Sequence, residues 1–123
     1  MKPFNYEKAR EFLEQKENDR NAIIKKRFKQ ATHDFDVITK EVVSRYNPSK
    51  IYQWGSLLNE QNFSDISDID IALEGICSAD EMFEIYGLAM ELTNFPVDIV
   101  QIEKIEPEFA ALIKKNGKLI YER

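Results

Sequence analysis

Between Trp54 and Gly75 the chain reads WGSLLNEQNFSDISDIDIALEG. Asp65, Asp68 and Asp70 stand at the threshold of an apolar run. Like charges repel, and burying one carboxylate unpaired costs several kcal/mol. Either these acids sit in a wet turn or a cation sits among them. In a strand, side chains alternate faces with period two. Asp68 and Asp70 then share one face, while Ile69, Ile71 and Leu73 share the other. Carboxylates one pleat apart, roughly 6–7 Å at the backbone, can converge on one hard cation. Oxygen donors without nearby His or Cys favour Mg²⁺ or Mn²⁺ over zinc. A further acid, Asp98, lies between Val97 and Ile99 in another apolar run, and the same metal site is its simplest partner.

Taken alone, an Asp-x-Asp is usually a strand start or turn, and Ser64 and Asp65 read as turn formers. No calcium loop fits, because frames from Asp65 or Asp68 lack the Gly at the sixth position together with the Glu at the twelfth. What lifts the pair is Gly55-Ser56, directly after a short strand. Glycine allows close backbone approach, a following helix start offers unpaired N–H groups to an anion, and a serine hydroxyl adds a donor. An anion cradle beside metal ligands suits a nucleoside triphosphate bound with divalent metal.

These residues need a scaffold. At 123 residues the chain fits one domain, 1–123, large enough to bury a core without staples. Hydrophobic residues make up 43%, which separates it from disordered chains. Before Asn47-Pro48, apolar residues recur at steps of three and four: Tyr6, Ala9, Phe12, Leu13, then Ile23, Ile24, Phe28, Ala31, Phe35, Ile38 and Val42. That predicts a helical arm over 1–46, as one long helix or a close pair. The stripe thins over Lys16–Arg20, as a solvated face does.

From 50 to 123 the rhythm becomes that of a small core. KIYQW and DIDIAL read as strands. Ser78 and Glu81 form a capping box ahead of a helix, and PVDIVQI is a third strand opened by Pro96. EPEFAALIKKNG reads as a helix with Pro107 at its start and Gly117 as its stop, and KLIYE is a last strand. The order β–β–α–β–α–β predicts an α/β (α+β) fold, a small mixed sheet packed with helices.

Charge and composition narrow the partners. The net charge of −5 disfavours a large nucleic-acid footprint. No apolar stretch approaches the roughly 20 residues that span a bilayer. The N-terminus is charged within ten residues and carries no signal segment, and the single Cys77 cannot form an intramolecular disulfide, so a cytoplasmic location is expected. His33 reads as a surface residue, Trp54 as core with base stacking as the alternative, and Cys77 as unreactive for want of a neighbouring base.

The joint pattern of Gly55-Ser56, Asp68-Ile69-Asp70 and Asp98 resembles the DNA polymerase beta-type nucleotidyltransferase superfamily, and within it the minimal nucleotidyltransferases. The tail FPVDIVQIEKIEPEFAALIKKNGKLIYER is similar to theirs, so the resemblance covers most of Lys50–Arg123. It implies two divalent ions, Mg²⁺ or Mn²⁺, held by Asp68, Asp70 and Asp98. It implies ATP or another nucleoside triphosphate with its outer phosphates on Gly55 and Ser56. It implies in-line attack of an acceptor hydroxyl on the α-phosphate, with Asp98 as base or orienting ligand. Minimal members are often antitoxins paired with a helical HEPN-domain toxin, some acting by adding AMP to a tyrosine of that partner. A homo-oligomer is compatible with the resemblance. The chain departs from the pattern after Gly-Ser, where family members often carry Arg and Gly and this chain has Leu57-Leu58-Asn59-Glu60. A missing cation weakens a triphosphate clamp. Lys50 or a base of the N-terminal helix is the expected replacement. The alternative reading keeps the fold and drops catalysis, leaving a protein that neutralises a toxin by docking.

Overall fold

The computed structural model describes residues 3–123. One helix, α1 (Tyr6–Tyr46), precedes a core of β1 (Lys50–Trp54), β2 (Ile69–Glu74), α2 (Ala79–Leu92), β3 (Val97–Gln101), α3 (Pro107–Asn116) and β4 (Lys118–Glu122). Two short 3₁₀ turns, Gly55–Leu58 and Glu60–Asn62, fill the β1–β2 connection. The arm is therefore a single helix of 41 residues, roughly 60 Å long. Asn5 caps its start by accepting the Lys8 N–H at 3.0 Å. It ends on Asn47 in the left-handed region, φ 49°, which asparagine tolerates. No helix among the described residues is long and apolar enough to cross a membrane.

The four strands run in the order β3-β2-β1-β4. β1 pairs antiparallel with β2 and β4, and β2 pairs parallel with β3. The parallel pair needs a crossover, and α2 supplies it. The Ser78 hydroxyl accepts the Glu81 N–H and caps α2.

Period-two alternation divides the sheet into two faces. Ile51, Ile69, Ile71, Leu73 and Ile99 point to one side, where Ala31, Phe35, Ile38 and Val42 of α1 meet Met82, Ile85, Leu88 and Ala89 of α2. Tyr52, Ala72 and Val100 point to the other, where Ala110 and Ile113 of α3 cover them. α3 is only 10 residues long, and its cover ends one step short of Asp70 and Asp98 on their strands. Gly117 follows α3 because a Cβ there would come within 2.5 Å of the Ile113 carbonyl and 2.8 Å of the Gln53 carbonyl. Close approach requires glycine at this stop; its φ of −79° does not.

Among the described residues, the N-terminal part of α1 meets only its own flank, where Tyr6 stacks edge-on against Phe4 at 4.8 Å. Tyr6, Phe12, Leu13 and Ile23 of the apolar stripe are all exposed, and burial of the helix begins near Ile24. Its C-terminal half is tied down by a buried polar link as well as by apolar contact. Asp34 accepts the Thr93 hydroxyl at 2.6 Å and the Gln30 amide at 2.8 Å, and Thr93 in turn accepts the Phe95 N–H. Replacing Thr93 with Val leaves a buried carboxylate short of a donor. Thr93→Val should lower the free energy of unfolding in urea by about 1–3 kcal/mol. Lys40→Ala, at an exposed ion pair with Asp36, should change it by less than about 1 kcal/mol.

Candidate functional site

The β2–β3 register sets the centre of the site. Asp70 and Asp98 are direct partners across the parallel pair, and Asp68 precedes β2 by one residue. All three fall on the face that α3 leaves open. Asp68 and Asp70 are half-buried and Asp98 is exposed. Ser64 and Ser67 build the turn before β2: the Ser64 N–H donates to the Ser67 hydroxyl at 2.9 Å, and the Ile66 N–H donates to the Ser64 hydroxyl. Asp65 stays exposed within that turn and stands apart from the other three acids.

On the other side of β2, Trp54 is the direct partner of Asp70, so β1 delivers Gly55 to the same place. Gly55 has φ +81° and lies against the Asp70 carboxylate. A Cβ there would overlap that carboxylate, coming within 2.9 Å of its Cγ. Position 55 thus needs glycine for its backbone angle and for contact with an acid. Ser56 follows, half-buried, in a 3₁₀ turn of four residues. The helix expected after Gly-Ser is this single turn.

Asp70 is under stress. Burial, then the charge of Asp98, then that of Asp68 push its carboxyl up from 3.8 to about 7. The donor set is oxygen only and mutually repelling, with two of its three carboxylates half-buried, which fits a hard divalent ion. Among the described residues, no three His, Cys, Asp or Glu side chains are closed around a common point as they stand. The carboxylates are neighbours rather than a finished cage.

The segment after Gly-Ser serves the fold. Leu57 is buried in the main core, and Asn59 accepts the Gln61 N–H at 2.9 Å to start the next turn. Lys50 does not replace the missing cation. It lies at the far end of β1 from Gly55, 3.9 Å from Glu74, which Lys114 also pairs with at 3.0 Å. Trp54 is half-buried and meets the edge of Phe109 at 5.3 Å. With Gly55, Leu58, Phe109 and Leu112 it lines a pocket of about 170 Å³ beside the acids. Sequence reading missed this apolar wall because its residues come from β1, the following turn and α3, with no shared period. His33 is exposed, as expected of a surface residue.

Residues 36–123 match the family model described as polymerase beta, nucleotidyltransferase. The chain belongs to that nucleotidyltransferase family. Among solved structures, a chain of the crystal structure of the toxin–antitoxin MntA–HepT matches with a TM-score of 0.56 at 21% identity. The match covers 75% of this chain and 73% of that one. It supports the resemblance to minimal nucleotidyltransferases at the level of the fold. No curated protein matches the chain.

Because folding raises the Asp70 carboxyl, the folded protein holds a proton there that the unfolded chain has released. Stability is therefore fullest below the ordinary value of 3.8 and is lost as pH rises towards about 7. In metal-free buffer, Asp70→Asn should raise the melting temperature. The gain should grow between pH 4 and 7 and level off above that. A gain of the same size at every pH would contradict the electrostatic cause. Gly55→Ala should lower the melting temperature, since a Cβ there meets the Asp70 side chain at an unfavourable backbone angle.

Proposed function

We propose that this protein is a divalent-metal-dependent nucleotidyltransferase that moves a nucleoside monophosphate, AMP first among them, from a nucleoside triphosphate to a hydroxyl of a protein partner. We further propose that the partner is a helical HEPN-type toxin and that this chain is its antitoxin. The observation that carries the chemistry is the packing of Gly55 on Asp70, which is itself paired with Asp98. The pairing with a toxin rests on the family and on the fold shared with a chain of the MntA–HepT toxin–antitoxin structure.

Asp68, Asp70 and Asp98 would hold Mg²⁺ or Mn²⁺. The ions, when bound, supply charge neutralisation at the triphosphate and at the acceptor oxygen. The Gly55 backbone and the Ser56 hydroxyl orient the outer phosphates. Asp98, the exposed member, faces the incoming acceptor and takes its proton. The acceptor oxygen forms a bond to the α-phosphorus, the bond from that phosphorus to the bridging oxygen breaks, and pyrophosphate leaves with the electron pair. Asp70 is fixed between Gly55 and Asp98 and keeps the metal-binding face in register with the phosphates.

A second reading has its own observation. Leu57 is committed to the core and Lys50 to Glu74, so neither supplies a clamp on the triphosphate. On that reading the fold neutralises its partner by docking alone. The two separate when Asp70→Asn is co-expressed with the toxin. Under the catalytic reading, wild type adds the mass of one or more nucleoside monophosphates to the toxin and restores growth, while Asp70→Asn does neither. Growth restored by Asp70→Asn without a mass change would establish docking.

A further inference from the structure

α1 carries Lys25, Lys26, Arg27 and Lys29 within five positions, and no acid occurs from Arg20 to His33. In a chain of net charge −5 this is a local reversal of sign. Neither Lys26 nor Arg27 enters an ion pair among the described residues. Arg27 is partly buried. Its guanidinium carbon lies 4.9 Å from the centre of the Phe95 ring. One terminal nitrogen donates to the Asp65 carbonyl over 3.4 Å, and Nε is buried with no partner. A guanidinium cannot shed its proton, so a buried N–H without an acceptor stays a cost until an acceptor arrives.

Space for one is at hand. Lys26, Arg27, Gln30, Asn94 and Phe95 line a cavity of about 320 Å³. A neighbouring cavity of about 250 Å³ shares Gln30, Asn94 and Phe95 and is lined further on by Asp34 and Glu91. The groove is thus cationic at one end and acidic at the other. Asp34 already accepts from Thr93 and Gln30, so it does not quench Arg27. We propose that the cationic end binds a phosphate group, free or carried by a nucleoside monophosphate, through Arg27 and Lys26 with the Asn94 amide as a further donor. A planar fork and a point charge together suit a multiply charged oxyanion with several acceptor oxygens. A carboxylate offers the same donors only two acceptor oxygens and a single charge.

This site needs no metal and does not rest on the activity proposed above. Its two supports lead straight to the acids, however. Asp65 precedes Asp68 by three residues, and Phe95 precedes Asp98 by three. An anion on Arg27 therefore presses on both loops that set the carboxylates.

The test is calorimetry in EDTA, titrating inorganic phosphate, AMP and adenosine separately into the full chain. Phosphate and AMP should bind without metal. Arg27→Gln and Lys26→Gln should each weaken them about tenfold, as loss of a charged hydrogen bond does. Lys40→Gln removes the same charge further along α1 and should leave binding unchanged. Lys26 is exposed, so Lys26→Gln keeps the test valid if Arg27→Gln unsettles the fold. AMP binding tighter than phosphate would name a nucleotide as the source, and equal binding would name phosphate alone; either supports the site. Absence of binding into the millimolar range, binding of adenosine alone, or equal affinity in Lys26→Gln and wild type would overturn it.

Discussion

The parallel pairing of β2 with β3 is the constraint on which the site depends. It places Asp70 beside Asp98, with the Gly55 backbone fitted against Asp70. Left alone, that arrangement is unfavourable: the carboxyl of Asp70 is driven up to about 7 by burial and by its neighbours. Like charges held together in this way suit the divalent ion proposed for the site. The opposite sheet face provides the means, since Ile69, Ile71 and Ile99 anchor the same two strands in the main core. Each acid is thus one residue from a buried isoleucine, and the strands cannot slip without burying a carboxylate.

The two helical layers divide the remaining work. α1 and α2 pack on one face, while α3 packs on the other over Tyr52, Trp54, Ala72 and Val100. The uncovered strip is where the acids lie. Gly117 ends α3 where backbone from Ile113 and Gln53 leaves no room for a Cβ.

Much of this was legible in the sequence. The strand alternation around Asp68 and Asp70, the capping Ser78, and Pro107 and Gly117 at the ends of α3 each have a local cause, and each element formed where that cause lies. The Gly-Ser and Asp-x-Asp spacing carried the family resemblance for the same reason. The parts that stayed hidden depend on contacts distant in sequence. Lys50 looked available as a cation until its position beside Glu74 was known. Leu57 and Asn59 looked like altered clamp residues, whereas one fills the core and the other caps a turn. The pairing of Arg27 with Phe95 joins residues 68 positions apart, and only the tertiary fold brings them together.

The proposed metal-dependent nucleotide site is made of Asp68, Asp70, Asp98 and Gly55. Titrating Mg·ATP into the purified chain by calorimetry, alongside an Asp68→Asn/Asp70→Asn double variant, tests it most directly. Binding should require the metal and vanish in the double variant while that variant stays folded. Equal binding by both proteins, or binding that persists in EDTA with unchanged affinity, would contradict it.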